Sequence, residues 1–140
     1  MLGLQDDIND IELKQRWRLY WIETVFEYSS TSMQKKLWKS NSDFKKCISA
    51  YFDDLALYDA YEKALKSQNV SIEEVEASKT FHTLAVFYDE SEESPETILQ
   101  DPEWIEVVET AQEFWNFLKD TVTSQREIDL MQSLEKEFFN

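Results

Sequence analysis

Residues 101–120 read DPEWIEVVETAQEFWNFLKD, and this stretch decides the fold class. Asp101 precedes Pro102, so a capping carboxylate stands before a residue whose missing N–H costs nothing in the first helical turn. From there Trp104, Val107, Val108, Ala111, Trp115 and Leu118 recur at helical spacing, and Glu103, Glu106, Glu109, Glu113 and Asp120 recur on the other side. The pattern predicts an amphipathic helix from Pro102 to about Lys119, with one face in a core and one in water. Successive carboxylates on the outer face would rise about 4.5–6 Å along the axis. Like charges at this spacing repel by a few tenths of a kcal/mol per pair. Lys119 is the one base nearby.

Similar signals surround this helix. Ser94-Pro95-Glu96 predicts another capped start, inside the acidic stretch DESEESPETILQD at 89–101, which reads as a loop with one helical turn. Ser71-Ile72-Glu73-Glu74 is a capping box and opens a helix that carries the apolar run Phe81–Tyr88. That run has strand-like composition, but no second segment reads as its β partner, so it is assigned to a buried helix. Ser124-Gln125-Arg126-Glu127 is a second possible box, opening a helix to about Phe138 unless the helix from Pro102 runs through it.

Upstream, a helix is expected from about Asp7 to Tyr28, ended by Ser29-Ser30-Thr31-Ser32. A short amphipathic piece with Met33, Leu37 and Trp38 follows. Ser40-Asn41-Ser42 then caps a long helix from about Asp43 to Lys66, with an apolar face of Phe44, Cys47, Ile48, Tyr51, Phe52, Leu55 and Tyr58. The expected architecture is all-α, a compact bundle of five to six helices, with residues 1–140 forming one domain and no internal repeat. Trp104, Trp115, Phe52, Leu55, Ile22 and Phe26 are the expected core.

Composition supports this and excludes much else. The chain has 1 Gly and 2 Pro, too few for the turns of a β-sandwich or for the phosphate-cradling loops of a Rossmann fold or P-loop. One Cys cannot make an internal disulfide, and one His removes most catalytic dyads and His-based metal sites. There is no apolar run of membrane-spanning length and no basic-then-apolar leader, so a cytoplasmic protein is expected. Carboxylate pairs at Glu73-x-x-Glu76 and Glu90-x-x-Glu93 have the spacing of helical Mg²⁺ hydrolases, the reading of a different class. Pairs of this kind arise by chance among 29 acidic residues. Neither metal nor cofactor is expected, and the reading is of a binding protein rather than an enzyme. His82 and Cys47 both read as buried core residues.

Charge points to a partner. Residues 1–70 carry 10 Lys and Arg against 11 Asp and Glu, a net of −1. Residues 71–140 carry 4 against 18, a net of −14. Direct binding of nucleic acid or an anionic membrane through that half is excluded, because phosphate contacts need Lys and Arg. A basic protein surface is the expected partner, such as that of a nuclease or another nucleic-acid-binding protein. Glu92, Glu93, Glu103, Glu106, Glu109 and Glu113 are the expected contact residues. Two other features bear on binding. The first helix has an aliphatic side (Ile8, Ile11, Leu19, Ile22, Phe26) and an aromatic side (Leu13, Trp17, Tyr20, Trp21, Tyr28) that is either a second core contact or a docking stripe for an adaptor role. A basic patch of Lys35, Lys36, Lys39, Lys45 and Lys46 is available to pair with the acidic half. In overall type (small, acidic, helical and Gly-poor) the chain resembles bacterial toxin-immunity proteins and phage-encoded inhibitors of host defence enzymes, some of them DNA mimics. That resemblance implies an inhibitor acting by protein binding.

Overall fold

A computed structural model describes residues 9–88 and 92–138. Among the described residues there are eight α-helices, one π-helical turn and no strand: α1 (Asp10–Ser29), α2 (Thr31–Leu37), α3 (Asn41–Ser49), the π-turn (Ala50–Asp54), α4 (Glu62–Lys66), α5 (Ile72–Phe87), α6 (Pro95–Gln100), α7 (Pro102–Thr121) and α8 (Gln125–Glu137). The chain is all-α, as its periodicities require. The helices exceed the expected five or six because the predicted 43–66 helix is divided and the turn at 95–100 is a helix of its own. No helix is long and apolar enough to cross a membrane among the described residues.

The caps at Ser71, Ser94 and Asp101 form where the sequence puts them. Ser71 Oγ accepts from the Glu74 amide at 3.1 Å, and Glu74 Oε1 accepts from the Ser71 amide at 2.9 Å. Asp101 Oδ1 accepts from the Glu103 amide at 3.0 Å, which starts α7. The 80–88 stretch is helical through Phe87.

The bundle is organised on α1 and α7, which pack on each other. α5 packs on α7, and α8 on α1. Aromatic rings fill the seams: Phe26 lies 4.7 Å from Trp115 between centroids, Tyr28 5.7 Å from Trp104, and Trp21 5.9 Å from Phe114. Trp104, Trp115, Phe52, Leu55, Ile22 and Phe26 are all buried, as expected.

Two expectations change. The two-faced reading of the first helix holds only for its second half, where Trp21, Ile22, Val25, Phe26 and Tyr28 are buried all round. Ile11 is 80 % exposed and Leu13 51 % exposed: α8 meets the first turns of α1 through Glu12, which pairs with Arg126, and leaves these two side chains to solvent. Ile8 and the expected start at Asp7 lie outside the described residues. The 43–66 helix is interrupted. Leu55 and Leu57 are both buried, yet they stand 200° apart on a continuous α-helix at 100° per residue. The π-turn and the non-helical stretch after it let both point inward and turn Tyr58 out to solvent. With no glycine available, Ala56, Ala60 and Tyr61 take left-handed φ values of 56°, 55° and 73°.

Candidate protein-binding face

α7 presents its inner and outer faces as the sequence divides them. Trp104, Val107, Val108, Ala111, Phe114, Trp115 and Leu118 are buried. Glu103, Glu106, Glu109, Glu113 and Asp120 are exposed. At 100° per residue, Glu106, Glu109, Glu113 and Asp120 fall within a sector about 60° wide, and Glu103 lies about 60° outside it, toward the buried face. Among the described residues none of Glu103, Glu106, Glu109 and Glu113 forms an ion pair. Lys119, the base nearest the row, turns instead to Glu135 on α8, 2.9 Å away. The outer face of α7 is therefore a row of carboxylates without local compensation.

The remaining two expected contact residues sit differently. Glu92 lies in the loop before α6, and its carboxylate meets Lys45 Nζ of α3 at 2.7 Å. The Glu93 carbonyl accepts from Asn41 Nδ2 at 2.9 Å. These contacts tie the acidic loop to the start of α3. Part of the basic patch thus pairs with the acidic half inside the molecule, through Lys45, while Lys35, Lys36, Lys39 and Lys46 are exposed.

Other candidate features are placed as follows. Trp21 and Tyr28 are core; Trp17 is half-buried and Tyr20 is at the surface. Glu73 and Glu76 are exposed on α5, and Glu76 pairs with Lys79 at 2.7 Å. Glu90 lies outside the described residues. No group of three or more His, Cys, Asp or Glu is placed to hold a metal ion among the described residues. Cys47 is buried, and burial pushes its thiol well above the usual range. His82 is buried against Tyr51.

The sequence reading missed one charged assembly. Arg18 of α1 bridges Glu74 of α5 and Glu127 of α8. Its Nη1 and Nη2 donate to the two oxygens of Glu74 at 2.9 and 2.8 Å. Its Nε and Nη2 donate to those of Glu127 at 2.9 and 3.0 Å. Nη1 also reaches the Asn69 carbonyl at 2.9 Å, and Gln15 Nε2 donates to Glu127. This explains why Ser124 and Glu127 form no capping box: Glu127 is committed to Arg18, and Ser124 Oγ donates to Gln15 at 2.7 Å. Glu74 serves both its cap and the arginine. Burial pushes Glu74 up, but Arg18 and the hydrogen bonds from Ser71 outweigh it and hold the carboxyl below its ordinary value. Every polar hydrogen-bearing nitrogen of Arg18 is engaged, so the assembly holds α1, α5 and α8 together rather than offering a free cation. The signal available in the sequence was an arginine between Trp17 and Trp21 on a helix otherwise apolar there.

The chain matches no family model, no curated protein and no solved structure.

Proposed function

We propose that this protein acts in the cytoplasm by binding another protein, and that the acidic outer face of α7 docks on a basic surface of a nucleic-acid-handling target, which it inhibits. The observation that carries this reading is the row Glu103, Glu106, Glu109 and Glu113, exposed and without ion pairs among the described residues. Their rise of about 4.5–6 Å per step is of the same order as the phosphate rise of about 3.4 Å along one nucleic-acid strand. Glu92 and Glu93 extend the acidic surface from the loop before α6. Docking through the aromatic side of the first helix is weaker support for binding, since Trp21 and Tyr28 are occupied in the core.

The test starts with capture of the target by pull-down, followed by association kinetics at low and high salt. Charge steering raises association rates tenfold or more, and screening removes it as the Debye length falls below about 8 Å. The triple variant Glu106→Lys/Glu109→Lys/Glu113→Lys is expected to stay folded, to associate about tenfold more slowly at low salt and to lose most of the salt dependence. Equal rates for both proteins at every salt concentration would make the row a solubility coat.

A further inference from the structure

His82 is the chain's one histidine and lies 7 % exposed on α5. Its Nδ1 is 2.9 Å from the Tyr51 hydroxyl, which is 2.8 Å from the Tyr61 hydroxyl. Trp21 Nε1 of α1 donates to that same Tyr61 oxygen at 3.0 Å. The rings of Tyr51, Phe52 and Tyr61 surround the imidazole, with centroids 5.8, 6.0 and 5.6 Å away. All three belong to residues 50–61, the π-turn and the non-helical stretch with left-handed Ala56, Ala60 and Tyr61. Apart from this network, one side-chain hydrogen bond joins residues 50–61 to α1 among the described residues, the exposed Tyr20–Asp54 contact at 3.0 Å. The buried Leu55 and Leu57 anchor the irregular segment in the core, and its buried polar ties to α1 and α5 run through the groups that cage His82.

We propose that the His82–Tyr51 contact is an acid-sensitive latch on residues 50–61, and that protonating His82 loosens this segment from the core while α1, α5 and α7 stay folded. A cationic imidazole in the closed position loses water and faces Phe52 and two phenol rings instead. Burial lowers the proton affinity of His82, and Asp59, the charged group facing it from the segment itself, raises it by less. On its own helix Lys79, one turn earlier, is exposed and paired with Glu76. Among the described residues α1 reaches this network through the Trp21 N–H on Tyr61 and the Tyr28 ring against Tyr51. The sign follows. The closed form binds a proton less readily than the open form, so pH has no effect well above the ordinary value of 6.5. Opening is favoured progressively below 6.5 and levels off once the closed form is protonated too. Lifting the segment would hydrate the imidazole, because the three rings around it belong to that segment. Phe52 and Tyr58 of the segment also wall a groove of about 210 Å³ against Phe44, Ile48, Ala85 and Val86, so opening would enlarge the apolar surface presented there.

Hydrogen exchange on the full chain at pH 7.5 and 5.0, corrected for intrinsic rates, tests the latch. If only the open form is protonated, its equilibrium population at pH 5.0 rises by up to about 30-fold. Amides of residues 51–61 should then lose up to about 30-fold in protection relative to those of α7, and His82→Gln should hold that ratio constant with pH. A parallel loss in α7 would mean global unfolding, and the same pH dependence in His82→Gln would remove histidine from the cause; either overturns the latch. Should His82→Gln not fold, the imidazole C–H resonance of the native chain decides by NMR. A midpoint clearly below 6.5 supports the latch, and one at or above 6.5 overturns it.

Discussion

Replacing Arg18 by Met removes the cation that two buried carboxylates share and keeps the length of the side chain. The side chains of Arg18, Glu74 and Glu127 are 19 %, 10 % and 4 % exposed, so water screens this assembly far less than it screens a surface pair. The change deletes the charged hydrogen bonds to Glu74 and Glu127, the bond to the Asn69 carbonyl, and the contact of the guanidinium with the Trp21 ring at 5.2 Å. Removing one partner of a buried ion pair costs about 3–5 kcal/mol, because the charge left behind is neither hydrated nor paired. With a urea slope of about 2 kcal/mol/M, the unfolding midpoint should fall by about 1.5–2.5 M at pH 7. The pH dependence isolates the cause. In the native chain Glu74 titrates below its ordinary value, so its contribution is present above about pH 4.5 and is lost as pH falls through its folded pKa. In Arg18→Met only the Ser71 hydrogen bonds oppose the effect of burial on Glu74, so its pKa rises relative to the native chain and lowering the pH restores stability by neutralising it. The difference between the two proteins should therefore shrink between pH 7 and pH 4.5. A loss below about 1 kcal/mol at pH 7, or one that is the same at both pH values, would refute the claim that this arginine is the electrostatic keystone of α1, α5 and α8.

Trp115→Ala should cost about 3–5 kcal/mol in urea unfolding, since Trp115 packs tilted against Phe26 and donates to Glu135 at 2.8 Å; a loss under 1 kcal/mol would place that face in solvent. Tyr28→Phe should change stability by less than about 0.5 kcal/mol or raise it, measured the same way, because the buried Tyr28 hydroxyl has no hydrogen-bond partner among the described residues. Ala56→Gly should raise the thermal midpoint slightly, by the equivalent of about 0.5 kcal/mol. The left-handed φ of 56° costs a β-carbon about 1–2 kcal/mol, and glycine's extra unfolded-state entropy returns about 0.5–1 kcal/mol of that gain.

The legible parts of the fold are those set by neighbours in sequence. The caps at Ser71, Ser94 and Asp101 need only side chains two or three residues away, and the 3.6 period of α7 is carried on one helix. The parts that escaped depend on distant residues. Arg18 lies 56 positions from Glu74 and 109 from Glu127, and no spacing rule reaches that far. The same distance hides the fate of Glu127, whose placement three residues after Ser124 suits a cap as well as it suits Arg18. The break after Ser49 is tertiary too. A 3.6 period continues through Leu55, but the core also takes Leu57 and Tyr61, and only an irregular backbone satisfies all three. Ile11 and Leu13 have the hydrophobicity of core residues, yet burial is set by whether another helix lies alongside. Of the candidate site, the one-sided row on α7 was visible in the sequence. The tie from Glu92 to Lys45 was visible only as opposite charges in different halves of the chain.

The strength of the core bears on how the acidic row is understood. Burying side chains such as Trp104, Val107, Phe114, Trp115 and Leu118 contributes about 1.5–3 kcal/mol each. Repulsion between like charges one turn apart removes only a few tenths of a kcal/mol per pair. The inner face of α7 therefore fixes the helix whatever the outer face carries, and stability neither requires nor forbids a single sign of charge there. Lysines at some of these positions would have formed stabilising i,i+4 pairs at no expense to the core, as Glu62 and Lys66 do on α4. The chain has lysines elsewhere, five of them between residues 35 and 46, and none on α7 before Lys119. The fold beneath therefore does not dictate the single sign of this face, and that independence is what the proposed docking on a basic surface rests on.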